Sequence, residues 1–192
     1  VVERPWSRRG RAGGGLLPGW SVGRAGVVGW VRANTAGMDR LLPLIVAVLK
    51  TLLPLRAVVA RNDAPSRAFE GLADDVRLMF GEDGSAVVEE GGVRFPVDPT
   101  GGQKTGWFFD QRYNRDRVSA LASGARVLDI CCHVGAFGLR CAAAGASSVT
   151  LVDSSAAALG LARDAALANG FAGVVELRRD DAFDALGALA GT

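Results

Sequence analysis

The stretch Val127-Leu-Asp-Ile-Cys-Cys-His-Val-Gly-Ala-Phe-Gly138 decides the fold. Val127, Leu128 and Ile130 make the continuous apolar run of a parallel strand covered on both faces, and Asp129 places a carboxylate near its carboxyl end. A polar turn follows, then a helix start at Ala136. The carboxyl ends of strands are where open α/β sheets bind ligands.

Downstream the pattern repeats. A helix is expected to about Ser123, strands over 126–131, 148–152 and 174–177, and helices over 136–144, over 155–169 with Gly170 closing it, and from about Asp181. Alternation with short connections specifies an α/β fold with a parallel, right-handed, doubly wound sheet.

The chemistry sits at the strand ends. Asp153 closes the apolar run Val149-Thr-Leu-Val152, 24 residues after Asp129, where an acid can hydrogen-bond ribose hydroxyls. Asp181, with Ala182 and Phe183, follows the third strand, where a carboxylate beside apolar groups suits an adenine amine and ring. An Asp after a strand is also a common helix N-cap, and that alternative applies fully to Asp181. A dinucleotide is disfavoured by the turn itself, which offers Gly135 and Gly138 but has Cys131, Cys132, His133 and Val134 where a pyrophosphate fingerprint needs its first glycines. A nucleoside ligand without pyrophosphate, such as S-adenosylmethionine, fits better.

Upstream, Leu41, Leu42, Ile45, Val48, Leu49, Leu52 and Leu53 recur at three- and four-residue spacing and predict an amphipathic helix over about 38–53, with Pro43 tolerable only in its first turn. Pro54 stops it. A strand is expected over 56–60, and Arg61-Asn62-Asp63 with Arg67 and Glu70-Gly71-Leu72 reads as a charged loop. Two alternating runs, 86–90 and 93–97, flank Gly91-Gly92 and predict a hairpin. Residues 34–100 are thus expected to form a small α+β domain, and 101–192 part of a larger one. The junction segment 101–115 is dense in polar groups, Gln103, Lys104, Thr105, Asp110, Gln111, Arg112 and Asn114 among them, which favours a functional role beside domain packing by Trp107, Phe108 and Phe109. It is not a Walker loop, because Gln103 precedes Lys104 where glycine is required.

Residues 1–33 sustain no helical or strand period, and 1–32 hold eight of the 26 glycines. They are expected to remain disordered rather than to act as an Arg/Trp nucleic-acid arm. Residues 1–32 carry six arginines against Glu3, a charge of +5, leaving −3 for the remainder of a chain whose net charge is +2. No global electrostatic case for nucleic acid follows. Three cysteines, two adjacent, make no disulfide framework, so a reducing cytoplasm is expected. The apolar run 41–49 holds Pro43 and ends at Lys50, about half the ~20 residues a bilayer needs, so no membrane partner is expected.

The strings GQKTGWFFDQRYNR, VLDICCHVGAFGL, VTLVDSS, Asn169-Gly170 and DDAF, with the RND…R…EGL pattern from Arg61 to Leu72, together resemble the RlmI-like family of ribosomal RNA methyltransferases. The resemblance runs from about Asn34 to the end. It implies a partial Rossmann-like domain that binds S-adenosylmethionine and methylates carbon 5 of a cytosine in large-subunit ribosomal RNA. Residue by residue, it implies that Asp129, Cys131 and Gly135 line the methionine side, that Asp153 holds the ribose with Ser154 beside it, and that Asp181 and Ala182 meet the adenine. Thr105 and Gln111 would close the site. Cys131, His133, Val134 and Ala136 depart from the usual Phe, Tyr, Thr and Gly, and Ala136 bears on how closely the backbone can approach a ligand.

Cytosine carbon 5 needs activation by a cysteine thiolate on the neighbouring ring carbon. The resemblance puts that nucleophile in a loop beyond a fourth strand and beyond Thr192, so none of Cys131, Cys132 and Cys141 is assigned a catalytic role, and this chain is expected to hold the cofactor half alone and to be inactive by itself. Without a fourth strand, the backbone edge of 127–131 is expected to be exposed and to destabilise the isolated chain or drive its association. Zinc at Cys131, Cys132 and His133 is disfavoured, since three consecutive residues do not converge on one tetrahedral ion. A non-catalytic nucleoside- or RNA-binding module and a small-molecule methyltransferase are the competing functions.

Overall fold

The computed structural model describes residues 19–102 and 106–189. These divide into two compact units: the first reaches to Val88 and resumes over Asp98–Trp107, and the second comprises Glu89–Val97 and the residues from Phe108 on.

In the first unit β1 (Trp20–Ala25), β2 (Val28–Ala33), β3 (Ala57–Asn62) and β4 (Asp75–Phe80) form one sheet in that order. The outer pairings are antiparallel and β2–β3 is parallel, its crossover made by α1 (Ala36–Leu52). Thr35 caps α1 by accepting the Met38 N–H, and Met38, Leu42 and Val46, four residues apart, pack on Val22, Val31, Val58 and Ala60. Burying Leu42 alone is worth about 1.5–3 kcal/mol.

Several expectations are corrected here. Residues 20–33, expected to stay unfolded, are two paired strands. The glycines that broke their periodicity are structural: a Cβ at Gly23 would stand 2.3 Å from Cζ2 of Trp30, its cross-strand partner, so only glycine lets the indole lie across β1, and Gly26 turns the hairpin at φ +57°. Pro43 lies inside α1 beyond its first turn, on the exposed side, where water can take the carbonyl deprived of its N–H partner. Arg61 and Asn62 are buried β3 residues, not loop residues. Asn62 Oδ1 accepts the Ala33 N–H at 2.8 Å, and Arg61 donates to the carbonyls of Pro99 and Gly102 at 2.9 and 2.8 Å. Arg67, 2 % exposed, donates to the carbonyls of Ala33 and Ala73 and to Asp39.

The predicted hairpin forms at β5 (Ala86–Glu90) and β6 (Val93–Val97), a two-stranded sheet. Beyond it the second unit runs α2 (Arg112–Ser119), β7 (Arg126–Ile130), α3 (Ala136–Ala143), β8 (Ser148–Asp153), α4 (Ala156–Ala168), β9 (Val175–Arg179) and α5 (Ala182–Leu189). The sheet is parallel with order β7-β8-β9, as the alternation requires. The strand buried in the manner expected of β7 is β8, with Leu151 and Val152 at 0 and 1 % exposure. Leu128 in β7 is 42 % exposed, because among the described residues β7 pairs with β8 alone. Within the same unit Asn169 brackets the β6 backbone, accepting the Arg94 N–H at 3.0 Å and donating to its carbonyl at 2.8 Å. Among the described residues no helix is long and apolar enough to cross a membrane.

Candidate functional site

The turn between β7 and α3 is built on left-handed backbone: Cys131, His133 and Gly135 have φ of +58°, +53° and +72°. Two of these are not glycine, a conformation that costs energy and needs the surroundings to hold it. The hold is visible. Cys132 N–H donates to Val152 O at 2.9 Å, Gly135 N–H to Cys132 O at 2.8 Å, and His133 N–H to Asp153 Oδ2 at 2.8 Å. The turn is therefore fastened to the end of β8 by the acid that the sequence singles out there.

Asp153 is held from both sides, its Oδ1 accepting the Ser155 N–H at 2.9 Å. Each oxygen keeps a further lone pair, which suits a pair of vicinal hydroxyls. Asp129 Oδ2 accepts the Gly138 N–H at 2.9 Å. Burial raises its carboxyl from the ordinary 3.8 to about 6; the Gly138 N–H works against the rise and the neighbouring Asp153 adds to it. An acid so placed favours a cationic partner. Asp181 follows the N-cap alternative: its Oδ1 accepts the Phe183 N–H at 2.8 Å and opens α5, whose first residue is the half-buried Ala182. Ser154 is exposed beside Asp153, with its carbonyl accepting from Arg179 Nε at 3.2 Å.

The glycines of the turn serve packing. A Cβ at Gly135 would stand 2.8 Å from Leu151 Cδ1, and one at Gly138 2.3 Å from Leu151 Cδ2 and 2.8 Å from Val149 Cγ1. They let α3 sit close on β8, as the last glycine of a nucleotide fold does. Cys131 is exposed, Cys132 and Cys141 are buried. Burial pushes the Cys132 thiol far up and the charges of Asp129 and Asp153 push it further; burial likewise raises Cys141. Neither is a ready nucleophile. Among the described residues no group of His, Cys, Asp and Glu is placed to hold a metal ion.

The structure thus brings Asp129, Cys131, Gly135, Asp153 and Ser154 to adjoining strand ends, with Asp181 and Ala182 after the next strand. Gln111 opens α2, where its Oε1 accepts from Asn114 Nδ2 at 2.8 Å. Thr105 lies outside the described residues. What sequence reasoning missed is Glu90, buried to 1 % and paired with Arg115 Nε at 2.6 Å and Nη2 at 2.9 Å. The signal was present: Ala86, Val88 and Glu90 share the inward register of β5, so an acid stood where an apolar residue belongs.

A model of the S-adenosylmethionine-dependent methyltransferase family matches residues 65–191. The chain belongs to that family. The ribosomal RNA large subunit methyltransferase I of Shewanella frigidimarina is 39 % identical over 150 residues, 77 % of this chain and 38 % of that protein. That of Aeromonas hydrophila is 37 % identical over 157 residues, 80 % of this chain and 40 % of that protein. The chain thus spans about two-fifths of the curated relatives it matches. Among solved structures, an S-adenosylmethionine-dependent methyltransferase from Streptococcus mutans aligns with TM-score 0.78 at 20 % identity, over 97 % of this chain and 49 % of that one. The Rossmann-like α/β fold of these methyltransferases is therefore the fold of this chain, and S-adenosylmethionine is the family's cofactor.

The donor set fits that cofactor. Asp129 and Asp153 offer backbone-held carboxylates that would suit an ammonium and a diol, and Asp181 Oδ1 accepts the Phe183 N–H while its second oxygen would suit an amine.

Proposed function

We propose that this chain supplies the cofactor-binding half of a cytoplasmic RNA methyltransferase that modifies large-subunit ribosomal RNA, transferring methyl to carbon 5 of a cytosine. The observation that carries the reading is the pair of pre-oriented carboxylates, Asp129 and Asp153, fixed by backbone N–H groups at adjoining strand ends in a chain of this family. The RNA substrate rests on the likeness to the ribosomal RNA large subunit methyltransferases.

In this reading Asp129, Cys131 and Gly135 flank the methionine moiety, Asp153 and Ser154 the ribose, and Asp181 and Ala182 the adenine, with Thr105 and Gln111 closing the site. When bound, the cofactor supplies an electrophilic methyl on a sulfonium. The residues of this chain bind and orient it: Asp153, held by two N–H groups, has no rotamer to search, and Asp129 offers its charge from a partly desolvated position where an ionic contact is stronger than in water. Burial raises the thiols of Cys132 and Cys141, so neither suits the thiolate addition to the neighbouring ring carbon that would make cytosine carbon 5 nucleophilic toward the methyl.

Calorimetric titration with S-adenosylmethionine and S-adenosylhomocysteine tests the site. An affinity unchanged by Asp129→Ala combined with Asp153→Ala would sink the assignment. For the substrate, the full-length protein is incubated with large-subunit RNA and labelled cofactor, and the product is mapped by mass spectrometry. Label on a cytosine carbon supports the reading, and transfer to small molecules alone refutes it.

A further inference from the structure

Behind the cofactor turn lies a run of contacts that begins at a buried ion pair. Glu90 and Arg115, each 1 % exposed, are joined by two hydrogen bonds. The same carboxylate faces Arg112 at 3.6 Å and Arg140 at 3.7 Å, and Arg140 also pairs with Asp116 at 2.7 Å. Gly91 is part of the arrangement, since a Cβ there would stand 2.0 Å from Cζ of Arg140. The Glu90–Arg115 pair at its centre has little conformational freedom, and removing either member would leave the other charge buried and uncompensated.

From that anchor Arg115 reaches two further groups. Its Nη2 donates to the Phe108 carbonyl at 3.1 Å, and its guanidinium lies 5.9 Å from the centroid of the Phe137 ring on α3. The Phe108 ring meets the His133 imidazole edge to face, with centroids 5.4 Å apart and an interplanar angle of 84°. His133 is the residue in the left-handed conformation whose N–H holds Asp153.

We propose that Phe108 is a positioning residue for the cofactor: braced by Arg115, its ring holds His133 in the turn geometry that aims Asp153 at the ribose. The inference rests on the assignment of Asp153 as the ribose-binding acid. It explains why a histidine tolerates a positive φ here, a conformation that persists only where neighbours over-determine it. It also explains why an aromatic side chain sits half-buried at the edge of the site. Nothing in the chain of contacts requires Phe108 to touch the cofactor. Its action is through His133 and Asp153.

The test uses Phe108→Leu, which keeps an apolar side chain at a half-buried position, and Phe108→Tyr, which keeps the ring. Two quantities are read on the full-length protein. One is the His133 backbone amide in the ligand-free state, by nuclear magnetic resonance shift and hydrogen exchange; the other is the affinity for S-adenosylhomocysteine. Loss of an edge-to-face pair and of the order it imposes is expected to weaken binding about five- to tenfold in Phe108→Leu. The His133 amide signal should move and its exchange quicken, with the thermal midpoint lowered by no more than a few degrees, and Phe108→Tyr should keep both readouts at the parent values. A His133 amide that does not respond overturns the inference even if affinity falls, because that is the signature of direct contact between ring and ligand. A displaced amide with affinity within twofold of the parent overturns it as well. Absence of binding to the parent protein would refute the nucleoside site itself, whereas normal binding to the parent with a silent Phe108→Leu refutes this inference alone.

Discussion

The two units handle charged motif residues in opposite ways. In the first, Arg61 and Arg67 are buried and turn their guanidinium groups onto the chain's own carbonyls and onto Asp63 and Asp39. In the second, Asp129, Asp153 and Asp181 each accept backbone N–H groups and still keep an oxygen or a lone pair for something else. A polar residue whose hydrogen-bonding capacity is consumed internally builds structure. One that is oriented but not consumed keeps acceptors that the proposed cofactor would use.

The largest test of that contrast is Arg67→Ala. Removing the guanidinium strands the carbonyls of Ala33 and Ala73 and frees Asp39. Each buried acceptor left unmade costs about 1–3 kcal/mol, so a loss of about 2–5 kcal/mol is expected in denaturant unfolding. Affinity for S-adenosylhomocysteine, measured below the transition, should be unchanged. A loss of affinity without loss of stability would move Arg67 to the functional class and break the comparison.

Asp153→Ala is expected to show the reverse weighting. Affinity should fall about 100-fold, since bonds to an ionised acceptor are worth about 1.5–3 kcal/mol each, while stability falls only by about 1 kcal/mol for the released N–H groups of His133 and Ser155. Calorimetry and thermal unfolding on the same preparation separate the two. Equal losses in both would mean that Asp153 is chiefly a fastener.

Gly138→Ala probes the packing that sets the turn. The added methyl would meet Leu151 and Val149 at distances no carbon contact tolerates, so α3 must shift on β8. Overpacking of this kind costs about 1–3 kcal/mol. Stability should drop by that amount, with affinity following only as far as the Asp129 to Gly138 hydrogen bond is disturbed.

Much of this was legible in the sequence because the signals were local. The β7 to α5 alternation and the β5–β6 hairpin are set by periods of two and 3.6 and by glycines at turns, all visible within a few residues. The strand-end acids follow from the same alternation. Illegible were features that depend on partners distant in the chain. Trp30 lying over Gly23 disguised a hairpin as a glycine-rich tail, and Arg61 looked like a loop residue because its carbonyl partners, Pro99 and Gly102, lie about forty positions on. The exposure of Leu128 is of the same kind: an apolar run shows that a strand wants cover, while the pairing order decides how much it receives. Glu90 and Arg115 are 25 residues apart, and only the odd register of an acid in an alternating strand hinted at the pair.

The smallest expected effect, and the finest discrimination, comes from pH. Asp129 carries its carboxyl at about 6 in the folded, ligand-free protein, against an ordinary 3.8. A raised value means that the fold prefers the protonated acid, so this group's contribution to stability is present below about pH 4 and is lost as pH rises to about 6. Binding a cofactor through its ammonium runs the other way, because the contact needs the carboxylate. Affinity for S-adenosylmethionine should therefore be highest near pH 7 and fall about tenfold by pH 5, one unit below the Asp129 midpoint. Asp129→Asn removes the group that titrates, so its weaker binding should be flat over the same range. The Asp153→Ala protein should keep a step, displaced downward, because the neighbouring charge that helps raise Asp129 is gone. A parent protein with no step between pH 7 and 5 would show that Asp129 is ionised without help from a ligand. The acid at the end of β7 would then belong with Arg61 and Arg67, satisfied by its own backbone through Gly138.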